Sequence, residues 1–158
     1  MTSLQSAVRR RRAVAVAGAV SAGLLTLSAC DKPTPLSTIT VGTHSVNSEA
    51  SCYDDGKALN TASLTTCLKD GSIKSIKVDP DDTVRFGVDP KIADKGWTIL
   101  MNGQALTDSS KKTYRTIPGS VFFNTQYGAT GNTTRVSIQE GGTTSTSGLW
   151  SFTLKKDA

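Results

Sequence analysis

Apolar and polar residues alternate along most of the chain from Ile73 onward, which is the period of a β-strand with one buried face. The pattern predicts strands at 37–42, 73–78, 83–88, 96–102, 104–107, 112–117, 119–125, 133–139 and 148–155. Turn-forming residues separate these runs, and Asn102-Gly103 is the best hairpin sequence because both residues adopt a positive φ at low cost. Many short strands at this spacing predict a mainly β fold, an antiparallel β-sandwich with immunoglobulin-like topology.

One segment departs from the strand pattern. Leu64, Cys67 and Leu68 recur at helical spacing within 61–69, and Gly71 follows as a helix stop. We therefore predict one short helix ahead of the main run of strands.

The first 29 residues have the order of a secretory signal, which is a positive segment, an apolar segment and then small residues. Arginines at 9–12 precede an apolar stretch at 13–27. This stretch is shorter than the ~20 residues that a transmembrane helix needs, so a permanent membrane span is disfavoured. The arginine pairs also resemble a twin-arginine signal, and the choice between that route and general secretion stays open.

The segment ends in a sequence that resembles the bacterial lipobox: Leu27, Ser28, Ala29 and Cys30. The resemblance implies that the sulfur of Cys30 carries a diacylglyceryl group and that cleavage makes Cys30 the first mature residue. A non-lipidated signal with an incidental cysteine is the alternative. We therefore expect a lipoprotein signal peptide at 1–29, an acylated cysteine and tether at 30–36, and a β-sandwich domain at 37–158.

The formal net charge of +5 does not indicate a nucleic-acid partner. Four of the eighteen basic residues lie at 9–12, within the signal, and none of the thirteen acidic residues precedes Cys30. From Cys30 onward, fourteen basic and thirteen acidic side chains give a net charge of +1. The sequence also carries no nucleic-acid binding motif, so we do not expect nucleic-acid binding.

Two cysteines remain if Cys30 carries lipid. Cys52 and Cys67 would lie in an oxidising, exported setting, which favours a disulfide that closes a loop of about fifteen residues. A metal pair and two buried thiols are the alternatives. A metal pair is poorly supported, because the chain has one histidine and neither cysteine has a C-x-x-C partner.

The single histidine, His44, also bears on other kinds of site. A copper site of the cupredoxin type needs two histidines and a cysteine. A Ser-His-Asp triad would have to use His44 in a chain that lacks G-x-S-x-G. The acidic clusters at 54–55 and 79–82 do not have the spacing of a calcium-binding loop. We therefore expect no enzyme activity, no cofactor and no metal site.

Several aromatic residues are candidates for lining a ligand groove: Phe86, Trp97, Tyr114, Phe122, Phe123, Tyr127 and Trp150. Those at 86, 97 and 150 lie in predicted strands and are expected in the core. Phe122 and Phe123 are adjacent in a predicted strand, so their side chains would face opposite ways. One of the two is therefore a candidate for a contact surface, and cover by a loop at an edge strand is the alternative.

Three stretches together resemble a group of small secreted lipoproteins of streptomycetes and related actinobacteria: CDKPTP at 30–35, VRFGVDPKIADKGWTILMNG at 84–103 and KKTYRTIPGSVFF at 111–123. The resemblance is to a family known as a domain of unknown function. It implies export, membrane anchoring and a compact β-rich domain. It brings no catalytic residues.

Together these features predict a lipid-anchored protein on the extracytoplasmic face of the cell membrane. We expect it to act as a binding module of the cell envelope whose partner is another envelope protein or a cell-wall component. The alternative is a small-ligand or metal-ion binding lipoprotein for uptake or sensing. That alternative predicts a pocket within the sandwich or at its loop end.

Overall fold

The computed structural model of the protein describes residues 33–142 and 145–157. The strands are β1 (Ser37–Val41), β2 (His44–Ser48), β3 (Cys52–Tyr53), β4 (Lys74–Val78), β5 (Thr83–Val88), β6 (Trp97–Met101), β7 (Gln104–Ala105), β8 (Tyr114–Pro118), β9 (Thr133–Gly142) and β10 (Ser145–Lys156). The helices are α1 (Thr61–Lys69), α2 (Pro90–Lys95) and two 3₁₀ helices, η1 (Gly119–Phe123) and η2 (Thr125–Tyr127). From Thr34 onward the described residues form one compact unit.

The strands form two sheets. Sheet A has the order β2-β1-β5-β8, and sheet B has the order β3-β10-β9-β6-β7. All pairs along these orders are antiparallel, whereas β4 pairs with β10 in parallel. In sheet A the order β1-β5-β8 corresponds to strands A-B-E of an immunoglobulin domain, and in sheet B the order β6-β9-β10 corresponds to C-F-G. The predicted mainly β fold with antiparallel sheets is therefore confirmed, with one parallel pair added.

One hydrophobic core lies between the sheets. It draws on inward-facing residues of both sheets: Ile39, Val41, Val84, Phe86 and Ile117 from sheet A, and Val78, Ile99, Ile138, Trp150 and Phe152 from sheet B. Six of these residues stand at apolar positions of the alternating runs in the sequence: Val84, Phe86, Ile99, Ile138, Trp150 and Phe152. Burying one such side chain contributes about 1.5–3 kcal/mol. The burial of these apolar side chains is therefore a main source of the free energy that holds the two sheets together.

The outer face of sheet B is covered as well. A second cluster joins Cys67 of α1 to Leu100 of β6 and Leu149 of β10. On the same face the hydroxyls of Ser137 and Ser151 form a buried hydrogen bond of 2.9 Å. All five residues of β6 are buried. Trp97, Ile99 and Met101 belong to the core between the sheets, whereas Leu100 belongs to this second cluster.

The predicted short helix is confirmed as α1. The side chain of Asn60 accepts a hydrogen bond from the Ser63 amide at 2.8 Å, which satisfies one of the free amides of the first turn. The last turn ends at Lys69, with Asp70 as the C-cap residue ahead of Gly71. There the Arg135 guanidinium donates to the carbonyl of Leu68, which fastens the C-terminus of α1 to β9.

The hairpin between β6 and β7 forms at the predicted position. Asn102 has a φ of 50° and Gly103 a φ of 85°, so both lie in the left-handed region that a two-residue hairpin of type I′ requires. The following strand, β7, covers only Gln104–Ala105 and is shorter than predicted.

The prediction of a single helix is wrong, because Pro90–Lys95 forms α2. The Asp89-Pro90 pair separates strands as expected, but proline is also compatible with the first turn of a helix, where its missing amide costs nothing. The pattern also missed β2 and β3. In β2 all five side chains are exposed or half-buried, so the strand carries no clear alternation of buried and exposed positions.

The strand predicted at 119–125 is also wrong, since residues 119–123 form η1. Strand β8 ends at Pro118, which has no amide to continue a ladder. Within η1 the Phe122 side chain turns into the core, 5.8 Å from the ring of Phe86 between centroids. The Thr134 hydroxyl donates to the Phe122 carbonyl, which holds η1 against β9.

The sandwich has two ends, which we name for what lies there. The tether end comprises 34–36, 89–96, 140–142 and 145–148, where Ser37 pairs with Val88 and Trp97 pairs with Glu140. The hairpin end comprises 79–82, 102–103 and 124–132.

Residues 34–36, predicted as part of the tether, are held against the tether end. The Trp150 indole donates to the Pro35 carbonyl at 2.7 Å, and the Leu36 amide donates to Asp89 at 2.7 Å. The Thr34 hydroxyl accepts from the Ala50 amide at 3.0 Å. The chain is therefore fixed to the sandwich from Thr34 onward.

Candidate functional site

An open pocket lies at the hairpin end, between the β6–β7 hairpin and η2. Its volume is about 450 Å³, and it is lined by residues 101, 104–106 and 125–128. We call it the hairpin-end pocket. A pocket at the loop end of the sandwich is what the small-ligand alternative predicts.

The hairpin wall of this pocket is fixed by Asn102. Its side-chain amide donates to the Gly128 carbonyl at 3.0 Å, and its side-chain oxygen accepts from the Arg135 amide at 3.2 Å. The backbone amide of Asn102 donates to the Arg135 carbonyl at 2.9 Å. The side chain that makes the hairpin turn thus also joins the hairpin to the opposite wall and to β9.

The opposite wall is η2, a single turn capped at both ends. The Asn124 side chain accepts from the Gln126 amide at 2.9 Å, and the Asn124 carbonyl accepts from the Tyr127 amide at 3.1 Å. Gly128 follows in the left-handed conformation. These contacts hold the Tyr127 side chain at the pocket with 55% of its surface exposed.

The lining of the hairpin-end pocket carries no charged side chain. Gln104 and Gln126 supply amides, and Thr125 and Tyr127 supply hydroxyls. Each amide offers two donors and an acceptor, and each hydroxyl offers both functions. Met101, Ala105 and Leu106 supply apolar groups to the lining, although Met101 is only 3% exposed, so the pocket combines a few apolar groups with uncharged polar side chains.

A second unusual group of side chains lies at the tether end, around a fully buried carboxylate. Glu140 is inward-facing on β9 and has no exposed surface. Its Oε1 accepts from the Ser147 hydroxyl at 2.7 Å and lies 3.2 Å from the Lys95 ammonium at the end of α2. Its Oε2 has no hydrogen-bond partner within 33–142 and 145–157. We call Lys95, Glu140 and Ser147 the tether-end cluster.

The backbone around the tether-end cluster is shaped by a β-bulge. The register between β9 and β10 shifts between Thr146 and Gly148, which leaves Ser147 as the extra residue. Gly148 pairs with Glu140, and a Cβ on Gly148 would lie 2.6 Å from the Trp150 ring and 3.0 Å from the Tyr53 ring. Only glycine leaves room for these two rings, whose centroids are 5.9 Å apart.

Tyr53 is the titratable neighbour of this cluster. Burial raises the pKa of the Tyr53 hydroxyl above its ordinary value of 10.0. The negative charges of Glu140 and Asp55 raise this pKa further, while the positive charge of Lys95 opposes them. The neutral phenol is therefore the form that the folded protein favours.

The geometry of the tether-end cluster favours a structural role. Glu140 has no exposed surface and Ser147 is only 5% exposed, so a substrate has no access to either side chain in this arrangement. The Lys95 ammonium, in contrast, is partly exposed and packs against Gly56 in the loop after β3. The cluster therefore joins α2, the β9–β10 pair and this loop.

The predicted pairing of Cys52 with Cys67 is confirmed as a disulfide, with the Cα atoms 6.0 Å apart. The bridge links the short edge strand β3 to α1 on the outer face of sheet B. The predicted lipid site Cys30 and the lipobox residues Leu27, Ser28 and Ala29 lie outside the described residues.

The remaining predicted residues do not come together in one site. Phe122 is fully buried in the core, so it offers no contact surface, and Phe123 is partly buried against the same core. His44 is an exposed residue at the start of β2. In the acidic 79–82 segment the Asp79 side chain accepts from the Asp81 amide at 2.9 Å, as expected for a turn.

The described part of the chain holds no group of three or more His, Cys, Asp or Glu side chains that is arranged to bind a metal ion. None of its helices has the length and apolar character needed to cross a membrane.

Comparison with known proteins gave no match: no family model, curated protein or solved structure is similar to this chain.

Sequence reasoning named Tyr127 as a candidate groove residue but missed the other polar residues of the hairpin-end pocket. Gln104 and Gln126 are 22 positions apart and carry no motif. It also missed Glu140, although Val136, Ile138 and Glu140 continue one alternating phase. A carboxylate in the inward-facing phase of a strand is the signal that indicates a buried, paired charge.

Proposed function

We propose that the protein is a lipid-anchored, extracytoplasmic binding module of the cell envelope. The observation that carries this proposal is the position of the hairpin-end pocket, which lies at the opposite end of the sandwich from residues 34–36. A chain held at the tether end presents its hairpin end away from its point of attachment.

The sequence between Cys30 and the sandwich supports this orientation. Thr34 is already hydrogen-bonded to the tether end, so only three residues separate it from Cys30. The four residue steps from Cys30 to Thr34 span at most about 14 Å when fully extended. With lipid on Cys30, the tether end would therefore stay near the membrane surface and the hairpin-end pocket would face the envelope space.

Such a module would bind its partners more readily because it is confined to the membrane surface. A lipid anchor keeps the domain within a thin layer at the membrane, which raises its effective concentration for envelope partners. A weak interface is then occupied without a large binding energy. Stable anchoring needs two acyl chains, because a single chain binds a membrane only marginally.

The second candidate function is a lipoprotein that binds a small ligand for uptake or sensing. The hairpin-end pocket supports it, since about 450 Å³ lies within the range of about 300–1,000 Å³ typical of small-molecule sites. The two candidates share the anchor and differ in the ligand. In one crosslinking experiment, the first candidate predicts that a macromolecule is captured with the protein, and the second predicts that none is.

The test is in-cell crosslinking of the full-length protein, combined with metabolic labelling by a clickable fatty acid. We expect label on the wild-type chain, loss of label in Cys30→Ala, and enrichment of one envelope protein or wall fragment over an unrelated lipoprotein of similar size. A labelled Cys30→Ala chain would refute the lipid site. An absence of any enriched species would refute the role in binding a macromolecule and leave the small-ligand candidate.

A further inference from the structure

We propose that the hairpin-end pocket binds an uncharged saccharide. This inference rests on the proposed binding function and names the ligand class of the same site. In the setting of a cell envelope, such a ligand would be a neutral sugar unit of a wall polymer.

The first argument is the chemistry of the lining. A sugar ring presents several hydroxyls, each of which is both donor and acceptor, together with a face of C–H groups. The amides of Gln104 and Gln126 and the Thr125 hydroxyl offer the matching mixture of donors and acceptors without charge. The exposed Tyr127 ring offers a flat surface for the C–H face.

The second argument is the absence of charge among the residues that line this pocket. A phosphorylated or carboxylated ligand would gain most from lysine or arginine, whose charged hydrogen bonds are roughly twice as strong as neutral ones. A cationic ligand would gain in the same way from aspartate or glutamate. The pocket lining has neither, so the ligand that it fits is neutral.

The third argument is preorganisation. Asn102 joins the two walls through its bond to the Gly128 carbonyl, and Asn124 caps the turn that carries Tyr127. The pocket is therefore formed before a ligand arrives, and binding needs little ordering of the chain. A weak but specific site is the expected result, and membrane confinement suits such a site.

The experiment uses the ¹⁵N-labelled protein, purified with its anchor in detergent micelles and titrated with chitotetraose. This neutral oligosaccharide carries acetamido groups that match side-chain amides. We expect the side-chain amide signals of Gln104 and Gln126 to shift in two-dimensional NMR spectra. Tyr127→Ala should raise Kd by about tenfold or more, as expected for loss of a stacking ring.

The matched control is Tyr114→Ala. Tyr114 is 66% exposed, comparable to Tyr127, but it begins β8 near the tether end of the sandwich. We expect this variant to bind chitotetraose within twofold of wild type. Equal losses in the two variants would overturn the proposed site.

Two further probes separate other ligand classes. Equal or tighter binding of a galacturonic acid tetramer would overturn the neutral character of the ligand. Binding of an extended uncharged peptide along the free edge of β7, with no shift from chitotetraose or other neutral oligosaccharides, would overturn the saccharide class. Either result would leave the outcomes of the acylation and crosslinking experiments unchanged. The ligand class and the proposed function can therefore be refuted independently of each other.

Discussion

The ammonium of Lys95 lies 3.2 Å from the carboxylate of Glu140, which is completely buried, whereas the Lys95 side chain is 41% exposed. Glu140 therefore loses much more of its hydration free energy on folding than Lys95 does. A buried carboxylate without a counter-charge is strongly unfavourable, so Lys95 is needed mainly because Glu140 is present. The pair ties the last residue of α2 to the inner face of β9.

Removing Lys95 alone should destabilise the protein. We expect Lys95→Met to lower the free energy of unfolding by about 1–3 kcal/mol, less than for a fully buried pair because water reaches the ammonium. The double variant with Glu140→Gln should recover part of this loss, since no uncompensated charge remains. Urea unfolding of the four proteins of this cycle measures both effects.

The control for this cycle is Lys91→Met, an exposed lysine on the same helix. It should change the free energy of unfolding by less than about 0.5 kcal/mol, as surface substitutions usually do. If the effects of Lys95→Met and Glu140→Gln are simply additive, the two side chains do not interact energetically and the structural role of the cluster is lost.

Gly148 should tolerate no larger residue. A Cβ at this position would lie 2.6 Å from the Trp150 ring, so Gly148→Ala has to move that ring or the strand. We expect a loss of about 1–3 kcal/mol, which is typical of overpacking, measured as a lower Tm in a thermal scan. Gly142→Ala is the matched control in the same strand pair, because its Cβ would meet no non-adjacent atom within 4 Å among the residues that the structure describes. Equal Tm values for the two variants would contradict the packing described for Trp150.

The elements that were predicted correctly are those whose pattern lies within one short stretch of sequence. Phe86 and Trp97 occupy the core because they stand in the inward phase of alternating strands. The hairpin at Asn102-Gly103 follows from the backbone preferences of two adjacent residues. Both signals are local, so they can be read without knowing what packs against them.

The elements and contacts that were predicted wrongly, or not at all, depend on residues that are far apart in the sequence. Residues 119–125 have the composition of a strand, but Phe122 is drawn into the core opposite Phe86, and η1 results. Glu140 is buried because Lys95 and Ser147 reach it, and these partners lie 45 residues before and 7 residues after it. The alternating phase of β9 indicates that Glu140 is buried, but no single-sequence pattern identifies its partners. The tether-end cluster and the two glutamines of the hairpin-end pocket were not predicted because their members are brought together only by the fold.

The Cys52–Cys67 disulfide should stabilise the protein by closing a 15-residue separation. We expect the double variant Cys52→Ser, Cys67→Ser to lose about 3 kcal/mol of unfolding free energy, chiefly through the entropy of the unfolded chain. Amides of α1 should also exchange hydrogen faster, since the bridge fastens this helix to β3. Thr66→Ser, at an exposed position of α1, is the control and should change neither quantity. An unchanged urea midpoint in the double variant would contradict the expected stabilisation.

Stability should fall at alkaline pH because of Tyr53. The pKa of its hydroxyl is raised above 10.0 in the folded protein, first by burial and then by the charges of Glu140 and Asp55. Between pH 10 and the folded pKa, the unfolded chain has already released this proton while the folded chain retains it, so stability decreases as the pH rises. Tyr53→Phe removes this contribution and should give a flatter decline of the urea midpoint between pH 9 and pH 11. Tyr114→Phe, at an exposed tyrosine, should follow the wild-type curve. Parallel curves for wild type and Tyr53→Phe would show that burial of Tyr53 does not couple its ionisation to folding.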